Sequence, residues 1–127
     1  MHVNYKTDFD ETALTMASKN KDIDMLELLI KKGADTDCQD ENGNTALLIA
    51  AQNGYFDIAK ALIDNGCELN IEDQFEETAL SYSIKYEYKE LVSLLLKKGA
   101  DAGNASVSKS TIDCDNEDIR NLVYEYM

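Results

Sequence analysis

Catalysis needs nucleophiles, acids and bases at fixed distances, and this sequence offers few of them apart from its 25 carboxylates. The one histidine is His2, at the N-terminus. No Ser–His–Asp or Cys–His set can therefore be placed on the pattern of the chain. The chain also has neither a P-loop nor a G-x-G-x-x-G stretch. We predict a protein with no catalytic residues and no bound cofactor.

Two acidic runs have the alternating oxygen ligands that open a calcium-binding loop. The first is 113–117, but Asp118 stands where the loop needs glycine and Tyr124 stands at the twelfth place instead of glutamate. The second run, 35–40, fails the same tests. We interpret both runs as turn and cap residues, and we predict no metal site.

The three cysteines, Cys38, Cys67 and Cys114, form an odd set without C-x-x-C spacing. This pattern argues against a disulfide framework and against a structural zinc site. Cys38 and Cys67 fall in or beside glycine-containing stop segments, where small residues pack. We therefore expect the cysteines to be structural.

The formal net charge of −13 limits the classes of partner that the chain can bind. Phosphate binding needs a basic surface, so the sequence predicts no nucleic-acid ligand and no anionic membrane surface. A basic protein is the electrostatic complement of this charge. The alternative is that the charge only keeps the protein soluble. Without an apolar run of about 18 residues or an apolar signal core, we expect a cytoplasmic location.

One stretch, 40–72, sets the organisation of the chain, because its landmarks recur every 33 residues. A threonine followed by Ala-Leu occurs three times in this register. A glycine that ends the unit occurs three times in the same register. Two short apolar helices in each unit cannot bury their shared face alone, so the units must stack. The landmarks are Thr12, Thr45 and Thr78, and Gly33, Gly66 and Gly99.

These motifs resemble the ankyrin-repeat family. The stretches Thr12–Ala17, Thr45–Ala50 and Thr78–Ser83 are similar to the family's T-P-L-H-x-A, without its proline and histidine. The G-A-D ending recurs at 33–35 and 99–101. The resemblance implies an all-α solenoid of stacked helix–turn–helix units with projecting hairpin loops. It implies one domain over 1–127, divided into a leader at 1–6, repeats at about 7–39, 40–72 and 73–105, and a C-terminal helical cap at 106–127.

Glycines that the family uses in its turns are present only in the middle repeat. Gly43 is the hairpin glycine, and Glu76 stands in its place one repeat later. Gly54 lies between the two helices, where the outer repeats have Lys21 and Glu87. Glutamate tolerates a left-handed backbone poorly. We therefore expect the hairpin around Glu76 to be less regular than the hairpin around Gly43.

Helical spacing of the apolar residues predicts the core, and the register breaks after Asp101. The break predicts a shortened last unit that has lost its hairpin, with helices near 105–114 and 117–126. The predicted core residues are Leu14, Ala17, Met25, Leu26, Leu29, Ala46, Leu47, Ile49, Ala50, Ala51, Ile58, Ala59, Leu62, Ile63, Leu91, Val92, Leu94, Leu95 and Leu96.

The resemblance further implies a non-catalytic module that binds a partner protein through its concave face and hairpin tips. Phe9 and Phe75 are aromatic residues at polar tips, where they are either binding anchors or packed against a neighbouring hairpin. Carried over by position, the partner-binding residues are Asp8, Phe9, Glu11, Lys19, Asn20, Glu41, Asn42, Asn44, Gln52, Asn53, Gln74, Phe75, Glu77, Lys85 and Tyr86.

A narrower alternative is a small acidic inhibitor or immunity-type protein that neutralises a basic enzyme or toxin. It is favoured if the acids at the tips form one concave patch, and it loses support if they are spread evenly. The sequence leaves the oligomeric state open, including a dimer through an end of the stack. Asn70 matches the position of an asparagine that is hydroxylated in eukaryotic repeats of this kind, and its alternative role is that of a turn residue. The tip acids are Asp8, Glu11, Glu41, Glu72 and Glu77.

Overall fold

The computed structural model describes residues 12–127, and over that range the chain forms eight helices and no strand. The helices are arranged in four pairs, which confirms the all-α prediction. The first helices of the pairs pack on one another in sequence order, as do the second helices, so the stack has two layers. The pairs are α1 (Ala13–Lys19) with α2 (Ile23–Lys31), α3 (Ala46–Asn53) with α4 (Phe56–Asp64), α5 (Ala79–Lys85) with α6 (Lys89–Lys97), and α7 (Ala105–Asp113) with α8 (Glu117–Glu125).

The recurring threonine begins the first helix of each of the first three pairs. The hydroxyls of Thr12, Thr45 and Thr78 each accept a hydrogen bond from a backbone N–H three residues on, at 3.2 Å. In α1 and α5 the bond is reciprocated, because the hydroxyls of Thr15 and Ser81 accept from the backbone N–H of the cap. Such caps contribute about 1 kcal/mol each. The 33-residue threonine register is therefore a register of helix starts.

Most of the predicted core residues are buried, two are half-buried and one is exposed. Met25 is 44% exposed, so its assignment to the core is wrong. Ile58 and Leu91 occupy the same place in later units and are almost fully buried. Their helices, α4 and α6, each pack against the second helix of the preceding unit. Leu29 and Leu94 are half-buried. The remaining predicted residues are buried: Leu14, Ala17, Leu26, Ala46, Leu47, Ile49, Ala50, Ala51, Ala59, Leu62, Ile63, Val92, Leu95 and Leu96.

Two hairpins project beside the first helices: the second hairpin (residues 40–44) and the third hairpin (residues 73–77). They share one hydrogen-bond pattern. Asp40 N–H donates to the carbonyl of Asn44 at 2.9 Å, and Asp73 N–H donates to that of Glu77 at 3.0 Å. Glu76 has φ +61°, close to the left-handed conformation of Gly43. The expectation of a less regular third hairpin is therefore wrong, because Glu76 accepts the strained backbone that the pattern requires.

The turns between the paired helices also hold non-glycine residues in the left-handed conformation. Lys21 and Glu87 have φ of +54° and +60°, at the place where the middle unit has Gly54. In the middle unit, glycine also leaves room for an aromatic side chain of the next unit. A Cβ on Gly54 would lie 2.8 Å from the ring of Tyr88. At the corresponding place in the first unit, the Lys21 ammonium lies 5.5 Å from the ring centroid of Tyr55, a cation–π contact.

The second and third hairpins are linked to each other. The Gln39 side-chain amide donates to the carbonyl of Gly43 at 2.7 Å and to that of Glu72 at 3.0 Å. Gln74 N–H donates to the carbonyl of Asn42 at 3.1 Å. One amide side chain and one backbone bond thus hold neighbouring hairpins in register.

The segments that return from the second helices are linked in the same way. An Asp37 carboxylate oxygen accepts from Glu68 N–H, and the Asn70 side-chain oxygen accepts from Asp101 N–H, both at 2.9 Å. Asn70 therefore bonds across to the next unit, 31 residues on, and not only within its own turn. Its hydroxylation stays a hypothesis beside its role as a turn residue.

The fourth helix pair follows Asp101 without a hairpin. Asn104 caps α7 directly, its side-chain oxygen accepting from Ser106 N–H at 2.8 Å. Helices α7 and α8 lie at the positions expected after the register break. Ile119 and Val123 of α8 are fully buried. The capping role of this pair and the single-domain division stay predictions.

Alkaline pH is expected to destabilise the fold through Cys67. This thiol is 6% exposed, and burial, followed by the charges of Asp37 and Glu68, raises its pKa to about 12. Because the folded pKa lies above the ordinary value of 9.0, the contribution to stability is complete below pH 9 and is lost as pH rises from there towards 12. Urea unfolding of the wild type from pH 8 to 10.5 should show a fall in the free energy of unfolding.

A Cys67→Ala variant is the control for that experiment. Alanine has no thiol to ionise, so the fall between pH 9 and 10.5 should become shallower. A residual fall is expected from Tyr82, whose pKa is raised by burial and by its contact with Asp73. Equal slopes for the two proteins would contradict the role assigned to Cys67.

Candidate interaction surface

The predicted partner-binding residues lie at the surface wherever the structure describes them. Asp8, Phe9 and Glu11 lie outside the described residues. The others are exposed or half-buried. Six of them come together with Asp73 and Tyr82 around one groove of about 330 Å³, here named the tip groove. These six residues are Asn42, Asn44, Gln52, Gln74, Phe75 and Tyr86.

The buried floor of the tip groove is the carboxylate–phenol pair of Asp73 and Tyr82, and neither residue is among the partner-binding residues predicted from the sequence. Asp73 is 8% exposed, and one of its oxygens accepts from the N–H groups of Phe75 and Glu77 at 2.9 and 3.1 Å. Its other oxygen accepts a hydrogen bond from the hydroxyl of Tyr82. The signal for Asp73 was present in the sequence, since Asp40 precedes it by 33 residues and bonds its own hairpin in the same way.

Amides and aromatic rings form the walls of the tip groove. The Gln52 amide donates to the side-chain oxygen of Asn44 at 2.8 Å. The rings of Tyr82 and Tyr86 are stacked, with centroids 6.2 Å apart and planes within 9°. The Lys85 ammonium lies 5.7 Å from the centroid of Tyr86. A surface of this kind offers flat apolar area with hydrogen-bonding groups beside it, which is typical of protein interfaces.

Phe75 is an exposed aromatic residue of the tip groove. Its side chain is 70% exposed, so packing against a neighbouring hairpin does not account for it. It borders the tip groove on one side and a second groove on the other. An aromatic ring that folding leaves in water gains its hydrophobic stabilisation only when something covers it.

The second groove, here named the edge groove, lies between the third hairpin and the start of α7. Its volume is about 280 Å³. The hairpin side carries three carboxylates, and the α7 side carries one ammonium group. The lining residues are Glu72, Phe75, Glu76 and Glu77 from the hairpin side, and Asn104, Ala105, Ser106 and Lys109 from the α7 side.

Several predicted residues do not join either groove. Lys19 lies on the surface, with its ammonium 3.9 Å from an oxygen of Asp40. Asn20, Glu41 and Asn53 also line neither of the two grooves. Of the tip acids named above, Glu72 and Glu77 share the edge groove, whereas Glu41 does not reach it. Of the three tip acids in the described range, two therefore line one groove at the third hairpin and one lies apart from it.

Two classes of feature are absent from residues 12–127. None of the helices there is long and apolar enough to cross a bilayer. No group of three or more histidine, cysteine, aspartate or glutamate residues in that range is arranged to hold a metal ion.

Comparison with known proteins adds one finding to this geometry. A family model described as ankyrin repeats, in three copies, matches residues 14–106. No curated protein matches the chain.

Proposed function

The chain belongs to the ankyrin-repeat family, whose repeats are generally protein–protein interaction modules, and we infer that it is a non-catalytic module of this kind. It binds a partner protein along its concave face, through the hairpin tips and the adjoining edges of the first helices. The tip groove and Phe75 form the centre of the contact. The residues predicted from the sequence that lie apart from this centre form its periphery.

The observation that supports this proposal most directly is the 70% exposure of Phe75 between two grooves. Interfaces draw most of their binding energy from a few aromatic or arginine anchors that the partner desolvates. The neighbouring ring of Tyr86 and the amides of Gln52 and Asn44 supply a polar and aromatic surround for such an anchor. Because Phe75 contributes little to the folded core, its exposure is best explained by binding.

The decisive experiment compares Phe75→Ala with a matched control. Ile112 is 72% exposed on α7 and lines neither groove, so Ile112→Ala removes a similarly exposed apolar side chain elsewhere. A partner captured from native lysate by the wild type is identified and purified, and its Kd is measured for all three proteins. We expect Phe75→Ala to weaken binding at least 30-fold, the level of a hot-spot residue. We expect Ile112→Ala to change binding less than twofold.

Two results would contradict the proposal. One is a partner that binds Phe75→Ala as tightly as the wild type. The other is a loss of binding on Ile112→Ala alone, which would place the interface at the end of the stack. Both variants should unfold within about 0.5 kcal/mol of the wild type, because both side chains are exposed. A folding defect is therefore separable from a binding defect.

A second candidate function is an acidic inhibitor that neutralises a basic enzyme or toxin. It is favoured by Glu72, Glu76 and Glu77 around the edge groove and by the net charge of −13. Charged contacts of this kind accelerate association and are screened by salt. The purified partner should then be basic, and its Kd should rise more than tenfold between 50 and 300 mM NaCl. A salt-insensitive Kd would exclude this candidate and leave the general proposal unaffected.

A further inference from the structure

The edge groove occupies the place where a fourth hairpin would stack. The outer edge of the second hairpin is covered by the third, since the Asn42 carbonyl accepts from Gln74 N–H at 3.1 Å. The corresponding residue of the third hairpin, 33 positions on, is Phe75. Within the described chain no further hairpin follows, because α7 begins at Ala105 directly after the Asp101 turn. The third hairpin therefore ends the row with its outer edge facing the groove.

The side chain of Glu76 limits what can bind at this edge. Its counterpart in the second hairpin is Gly43, and a Cβ there would lie 2.9 Å from the backbone nitrogen of Gln74. Glycine is thus needed where one hairpin backbone packs on the next. Glu76 has the same left-handed backbone but carries a side chain, so another backbone cannot approach as closely. An occupant must enter the edge groove with a side chain and not with a stacked hairpin.

The charge of the groove and the ring beside it favour a long cationic side chain. Glu72, Glu76 and Glu77 give a formal charge of −3, and Lys109 reduces it to −2. Phe75 presents an exposed ring at the border of the same groove. Arginine combines an apolar stem, a planar cation that stacks on aromatic rings, and a fork of donors that pairs with carboxylates in two places.

We propose that the edge groove is an arginine-binding site: an arginine of the protein partner lies with its stem on Phe75 and its guanidinium among Glu72, Glu76 and Glu77. This inference rests on the proposed function and refines it by stating the side chain that the partner supplies. Phe75 serves both grooves, so the arginine enters at the margin of the larger contact. The partner presents this arginine on a protruding loop or chain end, since Glu76 holds a backbone away.

The test uses a free probe and does not require the partner. N-acetyl-arginine amide is titrated into ¹⁵N-labelled protein while backbone amide shifts are followed by NMR. We expect saturable shifts at Phe75, Glu76, Ala105 and Ser106, with a Kd on the order of millimolar, because one side chain buries little area. N-acetyl-citrulline amide has the same shape without the charge and should bind at least fivefold more weakly. N-acetyl-lysine amide should also bind more weakly than the arginine probe.

A matched pair of variants assigns the site. Glu72→Gln/Glu76→Gln removes two charges at the groove and should weaken the arginine probe at least fivefold. Glu27→Gln/Glu125→Gln removes two exposed charges from α2 and α8 and should leave the Kd within twofold of the wild type. Shifts spread over the whole acidic surface, equal binding of citrulline, tighter binding of lysine, or unchanged binding by the groove variant would each overturn the inference.

The inference and the proposed function fail in different ways. A partner whose binding depends on Phe75, together with no response of the groove to the arginine probe, overturns the arginine site and leaves the proposed function standing. A groove that binds the arginine probe, together with a partner indifferent to Phe75→Ala, contradicts the proposed function and with it the role of the arginine in partner binding.

Discussion

Alanine in place of Gly43 is expected to lower the free energy of unfolding by about 2 to 4 kcal/mol. Gly43 has φ +79°, which costs any residue with a Cβ about 1 kcal/mol. The added Cβ would also lie 2.9 Å from the nitrogen of Gln74 and 3.1 Å from the Cα of Asp73. Both are backbone atoms, so relief requires the two hairpins to separate and the Asn42–Gln74 bond to break. Urea unfolding followed by circular dichroism measures the loss.

Gly66→Ala is the matched control for this prediction. Gly66 has φ +82°, nearly the same backbone, but a Cβ there would meet nothing within 4 Å. The free energy of unfolding of this variant should therefore fall only by the cost of the left-handed backbone, about 1 kcal/mol. Similar losses in both variants would show that the hairpins do not depend on the close approach at Gly43.

Removal of the Asp73 carboxylate, by Asp73→Ala, should cost about 3 kcal/mol and disorganise the floor of the tip groove. The carboxylate accepts from the N–H groups of Phe75 and Glu77 and from the hydroxyl of Tyr82. All three donors lose their partner together, in a site where Asp73 and Tyr82 are both buried. Urea unfolding gives the stability, and amide hydrogen exchange at Phe75 and Glu77 reports whether the hairpin has opened.

Two milder variants separate the parts of this network. Tyr82→Phe removes one hydroxyl and leaves both backbone bonds, so a loss of about 1 kcal/mol is expected, with slow exchange retained at Phe75. Asp73→Asn keeps one oxygen that can accept from the two backbone donors. Its loss in the free energy of unfolding should therefore lie between the losses for Tyr82→Phe and Asp73→Ala. If Asp73→Ala were no less stable than Tyr82→Phe, the hairpin would not depend on the carboxylate.

The helix starts were predictable because they depend on local chemistry. A threonine that accepts a backbone hydrogen bond three residues on needs only its own segment, so Thr12, Thr45 and Thr78 mark their helices from the sequence alone. The position of the last pair was predicted from the register break and from helical spacing; the structure adds that Asn104 and Asn116 cap α7 and α8. Fold class and helix order were therefore within reach of the sequence.

Burial at the first unit and the geometry of the grooves were not predictable in the same way. Met25 was assigned to the core from helical spacing, which does not distinguish a position that the fold buries, such as Ile58 one unit later, from one that it leaves exposed. The left-handed backbone of Glu76 is imposed by the hairpin bonds around Asp73, against the preference of glutamate. The position of Phe75 between two grooves follows from the absence of a hairpin at its outer edge in the described chain, a property of the assembled stack.

The shortened last unit also determines how such a chain can grow. A further 33-residue unit inserted between the third and fourth helix pairs would meet helices on both sides, and the hairpin row would lengthen in step, provided that glycine replaced Glu76. A unit appended after α8 would follow a helix pair that has no hairpin. The hairpin of the appended unit would therefore be separated from the row of hairpins by one unit. Tandem duplication inside the chain is therefore the structurally conservative route to a longer binding surface, whereas addition at the C-terminal end interrupts it.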